Sequence, residues 1–358
     1  MQYVNRHLGE KQLRFNDGQC QLLAAELLKG GEDLALWRGG AAVVAAGDLK
    51  TTFSRGPEHA RLTGAFAVDL RVPAAGTPRV RRLALEGFPA GPPLVGHGLF
   101  LSNRTQRLYV VNHGDVASRV EVFELLGEGF EDLRLRHVDR IESDLFPYHC
   151  INDVVEGSSA DEVFVSVWRH TVGVEAYNQR QDMADAFDFL TYRYVSQRLG
   201  DLGVLRCARA DGRWACARTG AWGLPSANGL AIAPDRGTLL VSCPPCMEVW
   251  RYRVGPDGSL TEEGPRIPLP YPADNLEWDE ETGRIFLGMI PIPTRAYPGV
   301  SPMELMALRA GSLHEAPRSL LLHDGGKLSQ CSAGLQYGEA LLLGSPYHAG
   351  LLYCSRAA

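Results

Sequence analysis

The sequence of 358 residues predicts an all-β fold, a six-bladed β-propeller. Three observations carry that reading. One phrase recurs about six times: a polar residue, a short apolar strand, a turn of Gly, Asp or Asn, and a second apolar strand. The phrases begin roughly 45–75 residues apart, room for a four-stranded blade with its loops. Short β-rich runs punctuated by Gly and Pro also argue against a parallel α/β sheet.

In chain order, Gly40–Ala46 reads as an inner strand. Gly98–Leu101 turns through Ser102–Thr105 into Leu108–Val111. Asp153–Val155 turns through Gly157–Ser159 into Glu162–Ser166, and Gly229–Ile232 through Pro234–Gly237 into Thr238–Ser242. Leu276–Trp278 turns through Asp279–Gly283 into Arg284–Gly288, and Ser332–Tyr337 at Gly338 into Ala340–Gly344. Third strands follow at Val120–Phe123 and Val249–Tyr252, and the turn Gly255–Gly258 leads to an outer strand. Residues 175–199 break the pattern. Within them Gln179–Arg193 lacks Gly and Pro and is rich in helix formers, which predicts a short helix in an inter-blade loop. It would act as a lid on the channel mouth or cover a blade edge. The whole chain, 1–358, is expected to be one propeller domain, with 1–30 as an N-terminal closing segment.

Composition narrows the function. The net charge of −6, with both signs interspersed, supplies no basic field for nucleic acid. No run approaches the ~18 apolar residues of a membrane span. The start, Met1–Arg6, does not read as a signal peptide. Of the eight cysteines, Cys207 and Cys216 flank the turn Ala210–Arg213 and can face each other across a hairpin. Cys243-Pro244-Pro245-Cys246 has neither a helix N-terminus nor a second CxxC beside it, which leaves a local disulfide or two free thiols.

The chemistry concentrates where the phrases begin. Four open on Glu32-Asp33, Asn152-Asp153, Asn228-Gly229 and Asp274-Asn275. The first residue of an inner strand faces the axial tunnel of a propeller. Glu32, Asn152, Asn228, Asp274 and Asn275 therefore gather there. Hard oxygen donors of this kind suit Ca²⁺, which takes six to eight oxygens. Without a cation, so many buried polar groups would be costly. Asp33 and Asp153 alternate to the other side and are candidates for a second, deeper ion, with a backbone carbonyl near Leu99. His97 opens one strand of a hairpin and His113 closes the other, so both imidazoles are expected at one end, near the metal, able to relay a proton and activate a water. His348 is a third candidate near the mouth. No Gly-x-Ser-x-Gly elbow is present, which argues against an acyl-serine route.

Taken together, these segments resemble the calcium-dependent serum paraoxonase/arylesterase family of lactonases. Gly31-Glu32-Asp33-Leu34 resembles its N-terminal metal motif, and His97-Gly98 with Val111-Asn112-His113 its two-histidine hairpin. Ile151–Val155, Ala227–Leu230 and Ala273–Leu276 resemble three further metal strands, and His348–Cys354 the closing strand. The order and spacing match from about Cys20 to Cys354. The segments Lys50–Leu70 and 175–199 do not follow the family's pattern. The resemblance implies two calcium ions. Glu32, Asn152, Asn228, Asp274 and Asn275 would hold the catalytic one; Asp33, Asp153 and the Leu99 carbonyl would hold the structural one. It implies His97 and His113 as the general-base pair, a Cys20–Cys354 disulfide closing the ring, and hydrolysis of lactones and aryl esters. Such a bridge implies secretion or the endomembrane lumen. The alternative is a non-hydrolytic role, in natural-product cyclisation or small-molecule binding.

Overall fold

The computed structural model describes residues 20–38, 40–72, 76–115, 117–146, 149–169, 202–292 and 300–355. Six sheets, antiparallel but for one short edge strand, make up the predicted propeller. The first blade runs outward through Gly31–Trp37, Ala41–Ala46, Gly64–Asp69 and Val80–Arg82. The second is Gly96–Ser102, Arg107–Asn112, Arg119–Leu126 and Arg134–Ile141, with Leu85–Glu86 added in parallel at its edge. The third holds Ile151–Glu156, Glu162–Val167, Leu202–Ala210 and Arg213–Leu224. The fourth holds Leu230–Ile232, Thr238–Cys243, Glu248–Val254 and Leu260–Glu262, with Ile267–Pro268 beside its third strand. Ala273–Asp279, Arg284–Met289, Met303–Arg309 and Arg318–His323 make the fifth. The sixth takes Gly334–Tyr337, Ala340–Leu343 and Leu351–Ser355 from the C-terminal part and its outer strand, Cys20–Leu23, from the N-terminal part.

One strand assignment is corrected. The run expected as the first inner strand, Ala41–Ala46, is the second strand of its blade; the innermost is Gly31–Trp37, which carries Glu32 and Asp33. Both runs are buried on both faces, so apolar content alone does not rank them. The burial follows from radial packing. Side chains of a strand alternate between faces, and each face here meets a different neighbouring blade. Ala42, Val44 and Ala46 pack with Leu335 and Leu342 of blade six, whereas Ala41, Val43 and Ala45 pack with Leu108 and Phe123 of blade two. Likewise Leu239 and Val241 join Phe164 of blade three, and Leu240 joins Ile285 of blade five. A strand sandwiched in this way reads as an unbroken apolar run.

A seven-residue helix, Leu49–Arg55, interrupts the first blade and was not anticipated from the sequence. The expected lid helix, 175–199, lies outside the described residues. Among the described residues, no helix is long and apolar enough to cross a membrane.

The ring closes by strand pairing and covalently. Cys20–Leu23 pairs with Leu351–Cys354 in register, and Cys20 is bonded to Cys354. Cys207–Cys216 bridges the hairpin of blade three, and the CxxC forms a Cys243–Cys246 disulfide. Loop entropy ranks the first two. A bridge spanning 334 residues is worth up to about 6 kcal/mol, and one spanning 9 residues about 3 kcal/mol. Urea unfolding of Cys354→Ser should therefore show the larger loss of stability, and of Cys216→Ser the smaller. Equal losses would reject closure as the stabilising role of the terminal bridge.

Candidate functional site

The inner strands leave their regular ladders where the predicted site residues stand. Pairing shifts register between Gly31 and Asp33, Gly96 and Leu99, Ile151 and Val154, and Ala273 and Leu276. A bulge re-aims side chains that strict alternation would send to one face and then the other. In blade four the strand starts only at Leu230, so Asn228 precedes it. Glycine then permits close approach at the axis. A Cβ on Gly98 would lie 2.5 Å from the Asn152 carbonyl oxygen, and one on Gly229 would lie 2.5 Å from Asn275 Cα. Gly229 serves neighbouring backbone, not a tight Asn-Gly turn.

Hydrogen bonds near the axis link all six blades. The Leu99 N–H donates to Asp33 Oδ2 at 2.8 Å, joining blades one and two. Asn152 Nδ2 meets His97 Nε2 at 3.2 Å between two and three, and the Leu230 N–H donates to Asp153 Oδ2 at 2.6 Å between three and four. Ser242 Oγ donates to the Asp274 carbonyl at 2.6 Å between four and five. The Asn275 N–H donates to the Ser332 carbonyl at 2.8 Å, and Ser332 Oγ to the Glu32 carbonyl, which completes the circle.

Inside it, polar oxygens remain without partners. Glu32 Oε2 and the Oδ1 atoms of Asn152, Asn228 and Asn275 are buried with no hydrogen bond. Asn275 Nδ2 donates to Glu32 Oε1 at 2.8 Å, and Asn228 bonds the Asp274 carboxyl. Four orphaned oxygens within this linked set are what a hard cation would satisfy. Among the described residues, no three or more His, Cys, Asp and Glu side chains form a metal cluster. The donor set here is mixed, with three of its five members amides.

Charge leads the same way. Burial, then neighbouring carboxylates, holds Glu32 and Asp153 well above the carboxylate range. Burial pushes Asp33 and Asp274 up to about 7. Glu277, which the sequence reading missed, is raised by burial and by Asp33 and Asp153. The charges that contribute to these shifts are all carboxylates, one another's and, for Glu277, also those of Asp279 and Glu280. Asp33 and Asp153 differ from the other site residues. Each accepts from its own strand's next N–H and from the neighbouring blade's, so both carboxylates have hydrogen-bond partners. Leu99 meets Asp33 through its N–H, whereas the expectation concerned its carbonyl.

His97 and His113 come together at the hairpin end, with His97 Nδ1 2.9 Å from His113 Nε2. His97 Nε2 lies 3.8 Å from Glu32 Oε1. Burial pulls His97 down to about 3 and His113 well below the usual imidazole value, so both are neutral at pH 7. Above them sits Phe53 of the Leu49–Arg55 helix, its ring 5.9 Å from His97 and 5.7 Å from His113. A third buried imidazole, His149, is 5.1 Å from His113, with a left-handed backbone at φ 53°. Arg169 lies 4.7 Å over both Phe53 and Trp168. The signal for His149 was its place three residues before Asn152. Phe53 lies in a segment with no repeat phase. His348 does not join the trio; the charges acting on it are Lys50 and Lys29.

The site is thus an axial set of oxygen donors at the centre of a six-bladed propeller, with a histidine pair beside it. The chain is similar to serum paraoxonase/arylesterase 2 of Bos taurus, 26% identical over 258 residues, or 71% of this chain. The protein of that name from Rattus norvegicus is 26% identical over 255 residues. The matched region covers 65% and 64% of these relatives, less than two thirds of their length. No family model matches. Two solved propellers share the fold: a proposed gluconolactonase with a TM-score of 0.52 at 15% identity, covering 95% of this chain and 93% of that one, and a gluconolactonase from Xanthomonas campestris with a TM-score of 0.50 at 18% identity, covering 96% and 91%.

Two outcomes test the cation reading. In calcium-free protein, Asp33 and Asp274 keep protons in the folded state that the unfolded chain releases from about pH 3.8. The folded state then binds more protons, so stability falls as pH rises toward 7. His97 acts oppositely below 6.5, so the carboxylate effect is cleanest between about 6.5 and 7. Calcium at a hundred times its Kd should add about 2.7 kcal/mol and reverse that fall, with proton release visible by calorimetry in two buffers. Separately, Glu32→Gln should raise the melting temperature of the calcium-free protein and erase most of the calcium-dependent rise. A rise equal to that of the parent protein would exclude Glu32 as a ligand.

Proposed function

We propose that this protein is a calcium-dependent hydrolase of lactones and aryl esters. The observation that carries the reading is the set of orphaned oxygens on Glu32, Asn152, Asn228 and Asn275 beside the neutral His97–His113 pair. The similarity to serum paraoxonase/arylesterases supports the substrate class. Glu32, Asn152, Asn228, Asp274 and Asn275 would hold the catalytic ion. Bound there, it would polarise the substrate carbonyl as a Lewis acid. The deeper pair, Asp33 and Asp153, with the Leu99 carbonyl, would hold a structural ion.

The chain's own groups handle the proton. Neutral His97 presents Nε2, which at rest accepts from Asn152 Nδ2, and would take a proton from the attacking water there as that bond opens. His113 Nε2, hydrogen-bonded to His97 Nδ1, shares the resulting charge. Phe53 and Trp168 cover the histidines and limit water to the channel. The helix Leu49–Arg55 and residues 175–199 would together set which acyl chains enter. In this reading 1–358 forms one propeller unit closed by 1–30. Three disulfides favour an oxidising compartment, secretion or the endomembrane lumen.

A panel of lactones and aryl esters, assayed with and without exhaustive chelation, tests the proposal. Turnover should vanish on chelation and return with Ca²⁺. Full activity in chelator would overturn it. His113→Gln should lower kcat by about 10²–10⁴ while the calcium-dependent melting temperature stays as in the parent protein.

A further inference from the structure

The proton pattern of the histidine pair can be followed from its inner end. Asn152 Oδ1 is among the orphaned oxygens, and Asn152 Nδ2 lies 3.2 Å from His97 Nε2. An amide nitrogen only donates, so His97 Nε2 accepts. A neutral imidazole accepting at Nε2 carries its proton on Nδ1, which then donates to His113 Nε2 at 2.9 Å. His113, accepting at Nε2, must in turn carry its proton on Nδ1. That atom lies 2.9 Å from Ser118 Oγ. Ser118 Oγ also accepts the His149 backbone N–H at 2.9 Å. The serine is buried, 2% exposed. It precedes the third strand of blade two, so it reaches His113 from the same blade and His149 from the next. The left-handed backbone of His149 is a conformation that a residue with a side chain keeps only where its surroundings hold it.

We infer that Ser118 is the positioning residue of this pair: the hydrogen bonds that start at Asn152 put the His113 proton on Nδ1, and the Ser118 hydroxyl oxygen, tied to the His149 backbone N–H, is the acceptor that holds that proton and the ring in place. The inference rests on the hydrolase reading for its kinetic consequence, but its structural content stands without it. Were the proton on Nε2 of His113, it would face the Nδ1 proton of His97 across 2.9 Å. Were Ser118 lost, the Nδ1–H would be buried without an acceptor. Either change rotates or re-protonates the ring whose lone pair His97 needs. Ser118 also lines a cavity of about 600 Å³ with Glu142, Asp144 and Trp214.

The test uses the full chain, ¹⁵N-labelled at histidine. Long-range ¹H–¹⁵N spectra of the parent protein should report His113 protonated at Nδ1 alone; protonation at Nε2 would overturn the inference before any variant is made. In Ser118→Ala the Nδ1 signal should give way to a mixture of tautomers. If lactones are substrates, kcat should also fall by about tenfold to a hundredfold with KM unchanged. Ser118→Thr, which keeps the hydroxyl, should restore both. An unchanged tautomer and kcat in a folded Ser118→Ala would reject the role. If the parent protein hydrolyses no lactone, the hydrolase reading fails while the spectra still decide for or against Ser118.

Discussion

Six inner strands have to meet around one axis, and their contacts there are made by hydrogen bonds running from each blade to the next. The circle passes from Asp33 to Leu99, His97 to Asn152, Asp153 to Leu230, Ser242 to Asp274, Asn275 to Ser332, and Ser332 back to Glu32. Strands this close tolerate little bulk, hence Gly98 and Gly229, where a Cβ would strike the neighbouring backbone. The same closeness excludes water from Glu32, Asp33, Asn152, Asp153, Asn228 and Asn275. Desolvation is accordingly the first cause of every carboxyl shift at the axis. The packing that closes the propeller and the electrostatics that would suit a cation are therefore one constraint. Closure at the periphery, through Cys20 and Cys354, prevents the outer edge of blade six from fraying.

The blades were legible because each strand pair must be apolar on both faces and must turn within a few residues. The candidate oxygen donors were legible jointly, since Asn228-Gly229 alone is an ordinary turn sequence, whereas polar residues at one phase of four blades are not. Other parts follow from distances that a linear reading does not contain. Ser166 and Ser242 hold equivalent places in blades three and four, accepting through Oγ the N–H of Asp153 in the inner strand and of Gly229 just before it. In sequence they are only hydroxyls in apolar strands. Phe53 reaches the histidines from a helix that interrupts the first blade, where no periodicity marks it. His149 and Ser118 acquire meaning only once blades two and three are side by side. The order of Gly31–Trp37 and Ala41–Ala46 was misread for a related reason: two fully buried strands have the same composition, and only the polar pair Glu32-Asp33 tells which one lines the axis.

The distribution of charge along the axis distinguishes the two sets of donors. The upper set has two carboxylates, Glu32 and Asp274, and three amides, Asn152, Asn228 and Asn275. A divalent cation among them would be neutralised by the two carboxylates, while the amide dipoles fill coordination without adding negative charge. On the proposed reading, that balance would hold an ion yet leave it able to attract a substrate oxygen. The lower residues, Asp33, Asp153 and Glu277, are all carboxylates and repel one another. Asp33 and Asp153 also clamp neighbouring blades through backbone N–H groups. A cation there would be over-neutralised and would serve to tie blades together. On this argument the difference between chemistry and architecture lies in amide against carboxylate. The histidine pair stands beside the amide-rich set, with His97 bonded to Asn152 itself.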